Sequence, residues 1–312
     1  MRFYITVIIL LSSITGYAAG EDTMQMKKNA INFFIQKKYD EAIELYTKII
    51  NVDGKRADAI EMRGLAYNNL SEYKKALADY NMAIKLVPDN AIYYYNRGYF
   101  YYQLGMQDNA VEDYSRAIPY AAKDSLRATL YISRSNIKYY KHDVDGALDD
   151  LRTILKEDST NYVALIDISA DLGELKKYDE SIAYLEVALR HYPEDYAVYT
   201  NLAQHYVTIN NFKYAVELNN KAIILKPTEP YAYNNRGFAK YKLNDLKGAL
   251  ADINKSLELY PANSYAYKNR ALIYIALKKT DLACIDLKDA LKNGFTATYG
   301  NEVNELIAQY CK

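Results

Sequence analysis

Apolar and small residues recur along this chain at a fixed interval, with polar stretches between them. Gly64 and Gly98 stand 34 residues apart, as do Gly237 and Ala271, and the 139 residues from Gly98 to Gly237 make four such intervals plus three. Phased on that period, eight units begin near Thr23, Ala57, Ala91, Ala128, Tyr162, Tyr196, Pro230 and Ser264, with three extra residues, about Ser125 to Arg127, ahead of the fourth. The eighth place holds Ala30, Gly64, Gly98, Ser135, Ser169, Ala203, Gly237 and Ala271. The twentieth holds Ala42, Ala76, Ala110, Ala147, Ser181, Ala215, Ala249 and Ala283. Two rows of small side chains per unit predict two helices that cross closely, because only small groups fit where backbones approach. Pro88, Pro193, Pro227 and Pro261 fall at unit ends, where a residue without an N–H stops one helix and lets the next begin. A period in this range signals stacked helix–turn–helix units.

The row "RGLAYNNLSEYKKALADYNMAIKLVPDN" (63–90) and its counterparts resemble the tetratricopeptide repeat family from about Thr23 to Ala297. Aromatics stand at the fourth place (Tyr94, Tyr131, Tyr199, Tyr233, Tyr267), the eleventh (Phe33, Tyr67, Tyr101, Tyr206, Tyr274) and the twenty-fourth (Tyr46, Tyr80, Tyr114). Lys138, Leu172 and Lys240 depart from the pattern at the eleventh. The resemblance implies an all-α, right-handed superhelical solenoid of about eight units over 23–297, closed by a C-terminal capping helix within 299–312. It also implies a concave groove, lined by each unit's first helix, that takes a protein segment.

One correlation is internal to the chain. Arginine occupies the seventh place in five units (Arg63, Arg97, Arg134, Arg236, Arg270), and aspartate occupies the twenty-third in the same five (Asp79, Asp113, Asp150, Asp252, Asp286). The other three units lack both, carrying Asn29 with Leu45, Ile168 with Tyr184 and Leu202 with Leu218. An antiparallel hairpin brings these places together, so the pattern predicts an Arg–Asp ion pair inside each of the five.

Charge and composition narrow the function. Lys+Arg and Asp+Glu are 39 each, a balance without the basic excess that nucleic-acid binding demands. Thirty-five tyrosines and no tryptophan are present. At groove places the chain offers Tyr95, Asn96, Tyr99 and Tyr102 in unit three, and Tyr139 and Tyr140 in unit four. Farther along stand Asn201, Asn235, Phe238, Tyr241, Lys268 and Asn269. Asparagine both donates and accepts, and tyrosine gives contact area at low entropy cost, so this set suits an extended peptide. A carbohydrate or cell-wall ligand for the same tyrosines is the alternative. The basic groove that clamps chaperone tails in some members of the family is absent, only Lys242 and Lys268 being cationic among these places.

No catalytic motif is found. His142, His191 and His205 have no second ligand at metal spacing, and no nucleophile elbow or phosphate loop occurs. The expectation is a non-catalytic chain without metal or cofactor. Residues 1–20 read as a secretory signal: Arg2, an apolar run Phe3 to Ile14, then Gly16-Tyr17-Ala18-Ala19-Gly20. Cleavage between Ala19 and Glu21 would place the mature chain in a periplasm or outside the cell; an uncleaved anchor is the other possibility. Gly294 and Gly300 flank a loop before a last predicted helix, Asn301 to Tyr310. Folded back, that helix brings Cys311 level with Cys284, and an exported chain with two such cysteines is expected to join them.

Overall fold

Repeats one to three and five to eight each fold as two antiparallel helices joined by a tight turn. The structure, a computed structural model, describes residues 21–122, 125–296 and 300–311. The expected signal segment lies outside these residues. The chain divides into two compact units, one ending at Ile137 and the other beginning at Lys138. In the first unit α1 (Glu21–Ile35) pairs with α2 (Tyr39–Val52), and α3 (Ala57–Asn69) with α4 (Tyr73–Leu86). There α5 (Ala91–Gln103) pairs with α6 (Gln107–Ala117), which continues into a 3-10 turn, Ile118–Tyr120. Helix α7 (Ser125–Tyr140) contains the division. The second unit holds α8 (Val144–Glu157), then the pairs α9 (Tyr162–Glu174) with α10 (Tyr178–His191) and α11 (Tyr196–Thr208) with α12 (Phe212–Leu225). Next come α13 (Pro230–Lys242) with α14 (Leu246–Leu259), and α15 (Ser264–Ala276) with α16 (Thr280–Lys292). A short α17 (Glu302–Tyr310) packs on α16 and supplies Val303, Leu306 and Ile307 to the last core cluster. No strand occurs among the described residues. The three inserted residues do not form a loop. They lengthen α7 at its start, which falls at Ser125 rather than near Ala128.

The small rows do mark the crossings. A Cβ at Gly98 would come within 2.8 Å of the Tyr114 ring, and one at Gly237 within 2.8 Å of Ile253 Cδ1. The facing alanines Ala76, Ala110, Ala215, Ala249 and Ala283 have no exposed surface. Every hairpin turns through a residue at the fifteenth place with φ from 59° to 73°: Lys37, Ser71, Gly105, His142, Lys176, Asn210, Asn244 and Lys278. The next amide then reaches back to close the helix end, as Lys38 N to Phe33 O and Glu72 N to Tyr67 O, both 2.9 Å. One unit in eight uses glycine for this left-handed position; the other seven hold a side chain there.

Candidate functional site

The first helices of the hairpins carry the predicted site residues. In the first unit, Arg63 and Arg97 each hold their aspartate through two bonds. Arg63 Nε and Nη2 reach the two Asp79 carboxylate oxygens at 2.8 Å, and Arg97 reaches those of Asp113 at 2.7 Å. In the second unit Arg236 meets Asp252 at 2.8 and 2.6 Å, and Arg270 meets Asp286 at 2.7 Å twice. Arg134 belongs to the first unit, where it donates to Ser115 Oγ at 2.8 Å. Asp150 belongs to the second, where Lys138 Nζ lies 3.0 Å away.

Each arginine has a further partner that the sequence reading missed. Nη1 of Arg97, Arg236 and Arg270 donates to Asn81, Asn220 and Asn254 at 2.6 to 2.8 Å, and that of Arg63 to Thr47 Oγ1 at 3.2 Å. These acceptors occupy the twenty-fifth place of the preceding unit, as does Ser115. A polar side chain there precedes every arginine-bearing unit, whereas Arg152 and Glu186 precede Ile168 and Leu202. The signal was present in the sequence, one unit upstream of where the ion pair was sought. Arg63, Arg97, Arg236 and Arg270 therefore tie two successive hairpins together, besides the two helices of their own.

On the inner face, bonds recur at a spacing of 35 residues. Asn96 donates to Glu61, Asn68 Nδ2 to Gln103 Oε1 at 2.9 Å, and Tyr139 Oη to Glu174. Asn269 Nδ2 donates to Asn234 Oδ1 at 3.0 Å, and Asn234 Nδ2 to Asn235 Oδ1 at 3.3 Å. The expected asparagine row is thus tied into the preceding repeat at Asn96 and Asn269, Asn235 is buried and accepts from Asn234 of its own helix, and Asn201 is exposed. Burial pushes the Glu61 carboxyl up to about 7, against the opposing effect of the Asn96 bond. On α9, burial also raises Asp167 to about 6 and Asp171 to about 7, the latter aided by Asp167 and Glu174.

The tyrosines divide between packing and surface. Tyr95 is half-buried with its ring 5.9 Å from Tyr114, and Tyr102 is half-buried in the first core cluster. Tyr99 Oη accepts from Gln103 Nε2 at 3.3 Å. Tyr139 and Tyr140 meet edge to face at 6.1 Å, with Tyr140 exposed. Phe238 lies 6.1 Å from Tyr241, with the Lys242 ammonium 5.4 Å over its ring. Lys268 and Asn269 are 4% and 1% exposed, so these two expected groove residues lie beneath the surface. Phe295 and Glu302, from the C-terminal segment, adjoin Lys268.

A cavity of about 700 Å³ opens on the inner face of the second unit. Tyr196, Tyr231 and Tyr265 supply aromatic wall, while Thr200, Asn201, Gln204, Asn234, Asn235 and Glu229 supply polar groups. Lys226 sits at its rim, 4.0 Å over the Tyr196 ring, donating to Tyr196 Oη at 2.7 Å and paired with Glu229 at 3.1 Å.

The three histidines have separate structural places. His142 is a left-handed turn residue and His191 ends α10 in solvent. His205 Nε2 donates to Ser181 Oγ at 3.0 Å, since Ser181 itself donates to Ser169 O at 2.6 Å, and burial lowers the imidazole pKa. No cluster of metal-ligating side chains occurs among the described residues, and no described helix is long and apolar enough to cross a membrane. Cys284 and Cys311 are joined, with Cα atoms 5.6 Å apart.

Comparison with known proteins places this geometry. Residues 91–124, 169–230 and 230–263 match models described as tetratricopeptide repeat, and residues 64–105 match one described as TPR repeat. A TPR repeat-containing protein of Methanocaldococcus jannaschii is 24% identical over 227 residues, 69% of this chain and 39% of that protein. RNA polymerase II-associated protein 3 of Xenopus laevis is 33% identical over 126 residues, 38% of this chain and 19% of that protein. The matches thus span well under half the length of these relatives. Among solved structures, a tetratricopeptide repeat protein from Parabacteroides merdae superposes with a TM-score of 0.56 at 17% identity, over 94% of this chain and all of that one. Cut9, crystallised in the APC/C hetero-tetramer Cut9-Hcn1, gives 0.57 at 18% identity, over 97% of this chain and 58% of that chain.

Proposed function

Because this chain belongs to the tetratricopeptide repeat family, we propose that it is a non-catalytic scaffold that holds a segment of a partner protein against its inner helices, in an exported, periplasmic or extracellular setting. Proteins of this fold generally mediate protein–protein interaction. The observation that carries the reading is the cavity of about 700 Å³ in the second unit. Its size falls within the range of ligand pockets, and its rigid aromatic walls with a few amide groups are what an anchoring side chain requires. Export is supported by the apolar stretch with small residues at 1–20 and by the joined cysteines, which belong to oxidising compartments.

A photo-crosslinker at Asn201, in the chain expressed in its own host, tests the binding face. The expected result is a crosslinked protein that disappears when Tyr231→Ala is added and folding is unchanged. Labelling no stronger than that of a crosslinker at exposed Lys247 would refute the assignment. The same tyrosines and amides also favour a second reading, a carbohydrate or cell-wall ligand. Retention on isolated glycan that is lost with Tyr231→Ala, or with Tyr99→Ala and Tyr102→Ala in the first unit, would select it.

A further inference from the structure

On the last hairpin the inner face meets a segment from beyond the repeats. Phe295, fully buried, stacks on Tyr265 at 5.9 Å and 19°. The Lys268 ammonium is enclosed by Phe238, Tyr265 and Phe295 at 5.6, 4.8 and 5.9 Å. Its carboxylate partner, Glu302 at 3.2 Å, comes from the first turn of α17 and is half exposed. On the opposite side, Cys311 after α17 is tied to Cys284 on α16. A groove position of the eighth repeat is thereby filled by an aromatic ring and a carboxylate of the same chain.

We propose that Phe295 with α17 is a built-in occupant of this inner face, latched by the Cys284–Cys311 disulfide, and that the face beneath it takes protein segments presenting a carboxylate and an aromatic ring. The cover is weak without its latch. Helix α17 has nine residues, and among them Val303 alone is fully buried. Isolated helices of that length are marginal in water. Cys284 and Cys311 are half-buried rather than sealed, so a dithiol can reach them. The dithiol passes two electrons and two protons to the bond, becomes a disulfide itself and leaves two thiols here. Freeing a crosslink that closes a separation of 27 residues raises the open fraction on the order of 10²-fold.

The ligand half of the proposal rests on the binding role given above, and the latch half does not. In the full chain, limiting amine acylation is read residue by residue by mass spectrometry, with exposed Lys278 as reference. Reduction by dithiothreitol, or the Cys284→Ser/Cys311→Ser variant with an unchanged circular dichroism spectrum, is expected to raise the Lys268 rate at least about tenfold while Lys278 stays constant. An unchanged rate in both overturns the latch. A fluorescent peptide of residues 294–312 carrying Cys311→Ser is then expected to bind the double variant saturably and the oxidised chain at least about tenfold more weakly. Faster acylation without peptide binding overturns the ligand assignment while the latch stands.

Discussion

Removing one carboxylate from the arginine tie gives the sharpest test of how this array holds together. Asp113→Ala deletes both bonds from Arg97, at 2.7 Å each, from a pair whose side chains are 14% and 4% exposed. Arg97 would keep its 2.6 Å bond to Asn81 and its place against the Tyr94 and Tyr101 rings, 5.8 and 5.9 Å away. Breaking a fully buried pair costs about 3–5 kcal/mol, so this partly compensated loss should cost about 2–3 kcal/mol. That is roughly 30- to 150-fold in the local opening constant. Repeat arrays unfold piecewise, so a global melting curve would blur the effect. Native-state hydrogen exchange on peptides from α5 and α6 reads it directly, with α14 as the untouched reference. Glu112→Ala is the internal control, since its partner Arg116 lies 2.6 Å away but both side chains are more than half exposed. That change should cost no more than ~0.5 kcal/mol. Equal exchange in the two variants would refute the claim that burial gives the tie its strength.

Other outcomes follow from single positions. Ser71→Gly and Lys176→Gly relieve a left-handed backbone at φ 62° and 59°, and each should stabilise by about 0.5–1 kcal/mol in local exchange. Gly98→Ala gains about 1 kcal/mol of helix propensity but drives a methyl to 2.8 Å from the Tyr114 ring, for a net loss of about 1 kcal/mol. Gly64→Ala, where the nearest atom is at 3.1 Å, should come out near zero by the same measurement. Asp167 and Asp171 have folded pKa values raised to about 6 and about 7, so they favour the fold while protonated. That contribution is complete below the unfolded value near 4 and is lost as pH rises through 6 to 7. Asp171→Asn should therefore stabilise α9 in local exchange at pH 8 and leave it unchanged at pH 3.

What the sequence disclosed was whatever repeats inside one unit. The period, the small rows and the Arg–Asp places were legible because both partners fall in the same 34-residue frame. The turn residue at the fifteenth place was harder to see, because Lys, Ser, His and Asn share no chemistry there beyond accepting a left-handed backbone. The asparagine row looked open because its partners, Glu61 and Asn234, lie in the first helix of the preceding repeat, 35 residues away. That spacing reflects how neighbouring hairpins are offset, which no single frame contains. Lys268 was misjudged for a similar reason. Its cover comes from a segment outside the repeat, and nothing in the place numbering of unit eight announces Phe295.

The double reach of the arginines also constrains how such a chain can be shortened or extended by whole repeats. The guanidinium groups of Arg63, Arg97, Arg236 and Arg270 each meet an aspartate sixteen residues ahead and a hydroxyl or amide sixteen residues behind, the latter supplied by the preceding repeat. Excising residues 162–229 in one block would set Arg152 where Arg236 now finds Asn220, placing two guanidinium groups together. Excising residues 230–263 would set Asn220 before Arg270, which accepts it as it now accepts Asn254. Repeats in this chain are thus subject to an agreement rule with whatever precedes them, and recombination can exchange only those that satisfy it.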